Sequence, residues 1–256
     1  MGLNFILISG AFFISGLAAG SFLNVLIYKI PRKLHIFRPY SICFSCKKPV
    51  NLIAGFPILA YISRHSKCSN CGLKVPVQSI LRELLTGLLY LLTYISFGLS
   101  LNTVTGIVLI STLLVVSFVD WEFMIIPNMI VLPFTLVGLA LTTVNITLGN
   151  PVRWWLPLAF CAGSFVFMLI IHLIYPKGMG MGDVKLALML GAFLVKNVIA
   201  GLFLGFLIGS IAGIIFIIFK KKSLKHYIPF GPFISMGGLI AFFAGNYISR
   251  WYAGFF

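Results

Sequence analysis

Four carboxylates are present in the whole chain, Glu83, Asp120, Glu122 and Asp183, so chemistry that needs a carboxylate has few places to sit. Two of them border long apolar runs. Asp120 closes the run ending Phe118-Val119, and Asp183 follows Gly178-Met179-Gly180-Met181-Gly182 and opens another. Ionisable groups beside hydrocarbon are costly and usually functional. A facing pair can share a proton, one activating a water while the other protonates a carbonyl, which is the logic of aspartic proteolysis. Helix-end placement points to Asp183 as the base and Asp120 as the acid. Asp183 also fits a plainer role, capping a helix N-terminus. Glu122 is placed either to tune the pair or to stand on the surface after the helix.

A second cluster can bind metal. Cys43-Phe44-Ser45-Cys46 and Cys68-Ser69-Asn70-Cys71 are two C-x-x-C knuckles with 21 intervening residues. Knuckles of this type, roughly 15–20 residues apart, present four thiolates to one tetrahedral ion, so a closed structural zinc site is expected. Two disulfides or free thiols are the alternatives, and a reducing cytosol disfavours persistent disulfides. Cys161, alone in an apolar run, reads as a small buried hydrophobe.

The elements that must position these groups are membrane helices. Of 256 residues 60% are hydrophobic and only 9% charged, which no soluble globule of this size would show. Runs of about 20 apolar residues predict eight spans near 3–28, 78–98, 102–119, 129–149, 152–175, 184–196, 197–219 and 229–253. The domains expected are a first span over 1–30, a cytoplasmic zinc-binding insert with four cysteines over 31–77 and a seven-helix core over 78–256. Ala18-Ala19-Gly20-Ser21 looks like a signal cleavage site, but no basic residue precedes it, so a retained span is expected.

The net charge of +15 raises nucleic acid as a partner, and its distribution argues against it. With both termini outside, 16 of the 19 basic residues fall in the cytoplasmic connections, leaving Arg153, Lys196 and Arg250 elsewhere. That is the positive-inside pattern, and it puts both aspartates and the cysteine insert on the cytoplasmic side of the membrane. The sixth span, Val184 to Lys196, is roughly 20 Å long against about 30 Å of hydrocarbon. Asp183 is therefore expected below the inner surface, in a loop whose glycines permit a tight bend and close substrate approach. Gly201, Gly205, Gly209 and Gly213 recur every four residues as a face for close helix packing, and Trp154, Trp155, Trp251 and Tyr252 read as interfacial belts. His172 and His226 have no ligand-type neighbours in sequence and read as structural.

The run Gly20-Ser21-Phe22-Leu23-Asn24-Val25, the cysteine tetrad, Arg82-Glu83, Asp120 with Pro127-Asn128, Gly180-Met181-Gly182-Asp183-Val184-Lys185 and Pro229-Phe230-Gly231-Pro232, in this order, resemble the bacterial prepilin peptidases. The resemblance implies an all-α polytopic intramembrane aspartic protease of the GxGD kind with a cytoplasmic zinc insert. It implies Asp120 and Asp183 as the catalytic pair and Cys43, Cys46, Cys68 and Cys71 as structural Zn2+ ligands, with Gly180, Gly182 and Lys185 supporting the site. It further implies cleavage of type IV prepilins or pseudopilins after a glycine, and methylation of the new N-terminus from S-adenosylmethionine. Phe44 stands where many members have proline, and Tyr28-Lys29 where His-Arg or Tyr-Arg is frequent. No Rossmann-type glycine loop is legible in the insert, so the methyl-donor site is unassigned. Glu83 is placed either to orient an amine or to pair with Arg82 at a helix start. A proton-coupled transporter with a zinc docking module is the rival, but inverted repeats are not seen; a purely structural secretion subunit leaves both aspartates unexplained.

Overall fold

The computed structural model describes residues 2–34, 71–72, 76–149, 153–176, 178–220 and 229–253. Every regular element among them is helical: α1 (Leu3–Lys29), α2 (Val77–Phe97), α3 (Leu101–Phe123), α4 (Asn128–Gly149), α5 (Leu156–Ile174), α6 (Met181–Leu194), α7 (Val198–Lys220) and α8 (Gly231–Ala253), with a 3-10 turn at Val195–Asn197 joining α6 to α7. These are the places of the eight apolar runs. Six helical stretches are long and apolar enough to cross a membrane, fewer than the eight expected. The difference has a physical origin. α6 has 14 residues, too few for a full crossing of its own, and Val195 ends it with a positive φ of 50° before the 3-10 turn leads directly into α7, so that Met181–Phe216 counts as one apolar stretch. α8 runs over 23 residues, Gly231–Ala253, which is long enough for a crossing by length.

The chain divides into two compact units, Met1–Leu99 and Ser100–Phe256. In the first, α1 and α2 lie against one another. Small residues let them approach: a Cβ on Gly16 would sit 2.7 Å from Gly87 Cα, and one on Gly20 2.7 Å from Glu83 Cα. Toward the other end Phe12 stacks on Tyr94 with ring centroids 4.7 Å apart.

In the second unit α4 and α8 each pack against both α3 and α6, which brings together the two aspartate-bearing helices. α6 is apolar on all sides and surrounded by protein; Val184, Leu186, Ala187, Met189, Leu190 and Ala192 are wholly buried. Lipid supplies no hydrophobic drive between helices, so small residues and hydroxyls set the packing. Ser164 Oγ donates to the Ala187 carbonyl (2.9 Å), and Thr142 Oγ1 to that of Ala192 (2.8 Å). Cys161 is buried on α5, as expected.

The four-residue glycine spacing in α7 has the packing role expected for three of its four members. Gly201, Gly205 and Gly209 face Ala241, Ile234 and Phe230, whereas Gly213 has open space. On the partner helix a Cβ at Gly237 would lie 2.8 Å from Gly205 Cα. Gly237→Val therefore should separate α7 from α8 at a cost of about 1–3 kcal/mol or more, read as a lower thermal midpoint in detergent; an unchanged midpoint would contradict this packing. Many large apolar side chains remain exposed around the helices, among them Leu136, Ile174, Ile218 and, at 58% and 51%, Trp154 and Trp155. A hydrocarbon solvent accounts for that surface.

Cys43, Cys46 and Cys68 lie outside the described residues, and so does His226. Cys71 is described and exposed. No group of three or more His, Cys, Asp or Glu side chains is placed to hold a metal among the described residues.

Candidate active site

Asp120 lies within α3, whose last turn extends to Phe123, beyond the end the hydropathy implied. Met124 then takes a left-handed conformation (φ 56°) and its N–H donates to the Asp120 carbonyl at 2.8 Å, closing the helix. Ile125 to Pro127 leave the helix, and α4 starts at Asn128 with the Pro127 carbonyl accepting from the Ile130 N–H at 3.0 Å. The chain thus reverses directly after the aspartate.

The Asp120 side chain is 95% buried and is met by the start of another helix. Its Oδ2 accepts the Gly231 N–H at 2.9 Å, at the first residue of α8. Pro232, in the second position, has a fixed φ suited to a helix start. The Gly231 position has no room for a side chain, because a Cβ there would sit 2.6 Å from that same oxygen. The Pro-Phe-Gly-Pro run therefore builds a helix N-terminus aimed at Asp120. Sequence reasoning gave this run no role, though a glycine between prolines ahead of an apolar stretch is a legible helix-start signal.

Asp183 lies in the first turn of α6. Its Oδ2 accepts the Gly180 N–H at 3.2 Å, and its own N–H donates to the Gly180 carbonyl at 3.1 Å. The capping geometry and the site geometry are both realised, since the same carboxylate lines a cavity with Asp120. Helix ends consequently do not separate acid from base: each aspartate has one oxygen held by a backbone N–H at a helix N-terminus.

The glycines of the Asp183 loop provide space. Among the described residues positive φ at glycine occurs at Gly72 and Gly98, and not at Gly178, Gly180 or Gly182. A Cβ on Gly182 would meet Ile126 Cβ at 2.9 Å, so the loop closes against the turn after Asp120. His172 also acts here. Its Nδ1 lies 2.8 Å from the Met179 carbonyl, which can only accept, so Nδ1 carries the proton and ties α5 to the loop. Sequence spacing alone could not reveal this contact.

The cavity holds about 680 Å3 and is lined by Asp120, Ile126, Asn128, Met179, Asp183 and Lys185, among others. The two carboxylates are close enough to interact electrostatically. Lys185 Nζ donates to Asn128 Oδ1 at 3.0 Å, fastening the start of α6 to the start of α4. Gly180 and Gly182 line the same space. Glu122 is exposed and not part of the lining, and Arg82 and Glu83 belong to the first unit, Glu83 fully buried there. A buried pair of carboxylates on one cavity of this size can hold a water between them and receive an extended backbone.

Residues 107–218, which include both aspartates, match the family model described as Type IV leader peptidase family, and residues 14–97 match that of the Bacterial Peptidase A24 N-terminal domain. A prepilin leader peptidase/N-methyltransferase of Bacillus subtilis (strain 168) is 33% identical over 241 residues, covering 94% of this chain and 96% of the relative. The chain belongs to the type IV leader peptidase family. Relatives of the same description in Neisseria gonorrhoeae (31% identical, 92% of this chain and 90% of the relative) and Legionella pneumophila (30%, 93% and 92%) span nearly the whole length as well. No solved structure matches the chain. Within the family's peptidase match the Asp183 loop and the α3–α4 turn are the parts that build the cavity, while Gly231 lies beyond its end.

Proposed function

We propose that this protein removes the leader from type IV prepilins or pseudopilins as an intramembrane aspartic endopeptidase, then methylates the new N-terminal amine. The observation that carries the reading is the placement of Asp120 and Asp183 on one buried cavity, each fixed by a backbone N–H. In the reaction one carboxylate takes a proton from water as it attacks the scissile carbonyl. The other gives its proton to the carbonyl oxygen, and collapse of the tetrahedral species transfers a proton to the departing amine. Ile126 and Phe230 give the cavity an apolar wall that limits bulk water.

The basic connections support an orientation with this cavity toward the cytoplasm of the inner membrane. A prepilin, with its apolar N-terminal helix in the bilayer and a basic leader in the cytosol, presents its scissile glycine at that depth. Neither a transporter nor a purely structural subunit explains why two buried carboxylates line one cavity of about 680 Å3, large enough for an extended peptide. Incubating the purified protein with a prepilin and weighing the product separates these readings: a leader-length mass loss supports the peptidase, and an intact substrate contradicts it.

The methyl donor supplies a sulfonium methyl group. The cysteine tetrad fits zinc by its donor set, four thiols in two knuckles, which closes a tetrahedral site and leaves no position for catalysis. Stoichiometric zinc in the purified protein, lost in Cys43→Ser/Cys46→Ser, is the expected result by elemental analysis; a zinc-free, fully active wild type would contradict it.

A further inference from the structure

The first unit contains a buried polar cluster that peptide hydrolysis does not use. Ser21, Asn24 and Lys29 of α1 and Ser79, Glu83 and Thr86 of α2 are all at least 95% buried. Asn24 meets Ser79, and Gly20 meets Glu83 and Thr86, in the seam between the two helices toward the C-terminal end of α1. Farther along, the same seam is built from glycines and aromatic rings, which suffice to hold two apolar helices together. Burying a carboxylate and an amide in such a seam costs free energy, so a function is the default explanation.

We infer that Asn24 and Glu83 form the site that holds the N-terminal amine for methylation. Asn24 Nδ2 donates to the Ser79 carbonyl at 3.0 Å, which fixes the amide and orients its oxygen. That oxygen, Asn24 Oδ1, is buried and accepts no hydrogen bond among the described residues. Glu83 stands one helical turn from Ser79, at the level of Gly20, and helical side chains incline toward the helix N-terminus, here toward Ser79 and Asn24. Asn24 Oδ1 and, about one helical turn along the seam, Glu83 Oε1 are buried acceptor atoms, so a ligand reaching them donates hydrogen bonds, and a primary ammonium fits that description. Buried Lys29 places a compensating positive charge at the same end of the helix pair.

The assignment rests on the methyltransferase half of the proposed function. Glu83 takes a proton from the ammonium. The amine lone pair then attacks the sulfonium methyl carbon, the C–N bond forms as the C–S bond breaks, and the neutral thioether leaves. The product leaves as a secondary ammonium, and Glu83 returns its proton to water.

Glu83→Gln and Asn24→Leu test this, with cleavage and methylation of a prepilin followed in the same tube. Binding of a mature-end peptide, with a free or an acetylated N-terminus, is measured without the methyl donor. Both variants are expected to cleave within about twofold of wild type while methylation falls about tenfold or more, and to lose the wild-type preference for the free amine. Unchanged methylation in either variant, loss of both activities in step, or equal wild-type binding of the two peptides would overturn the assignment. A wild type that cleaves yet transfers no methyl group would instead refute the methyltransferase reading, and the peptide comparison would still decide whether the amine site exists.

Discussion

Asp120→Asn and Asp183→Asn are each expected to abolish leader cleavage, by about 10²–10⁴-fold or more, while leaving the helix bundle intact. An amide keeps the size of the side chain and an oxygen to accept the backbone N–H of Gly231 or Gly180, so both helix starts stay anchored. It cannot take a proton from water or deliver one to the carbonyl. Because the two carboxylates act on one water and one carbonyl, losing either removes a whole proton transfer, and the double variant should be little worse than each single one. Initial rates by gel shift of a prepilin, with thermal midpoints on the same samples, check this; additive losses in the double variant would indicate that the two groups work separately.

Gly231→Ala is the second large effect. It adds one methyl group, and that group would lie 2.6 Å from Asp120 Oδ2 and 3.1 Å from Cγ, so the carboxylate has to move. The backbone N–H that positions Asp120 is retained, which distinguishes this change from loss of the aspartate itself. Displacing a reacting group by about 1 Å is worth roughly 10²-fold in rate. Cleavage should therefore fall by about that factor in kcat, with KM nearly unchanged because Gly231 is not itself a lining residue. A fall confined to KM would place the substrate, and not the carboxylate, against this position.

Much of this site was legible from composition. Scarcity of acids isolated Asp120 and Asp183, and apolar runs located all eight helices, because in lipid a backbone must be satisfied within its own segment. The boundaries were less legible. Hydropathy ends α3 at the charge, yet the helix runs to Phe123, since the cost of burying Asp120 is offset by a hydrogen bond from a residue 111 positions away. The shortness of α6 was visible, but not the positive φ at Val195 that ends it ahead of the 3-10 turn into α7. The contacts of His172, read as structural, and of Gly231, named only in a family resemblance, were not legible: His172 meets the Met179 carbonyl and Gly231 a carboxylate, and linear spacing carries no trace of either. The glycines before Asp183, expected to permit a tight bend and close substrate approach, line the cavity without positive φ, and Gly182 leaves room for Ile126.

The most direct test of the central claim is the intact mass of a prepilin incubated in heavy-oxygen water with wild type, Asp120→Asn and Asp183→Asn in parallel. Two carboxylates acting on a water predict that the wild type alone yields a shortened pilin and a leader whose new terminal carboxyl carries one heavy oxygen, with no enzyme-bound acyl species. Cleavage that persists in either aspartate variant, or an enzyme–leader adduct in the wild type, would contradict it.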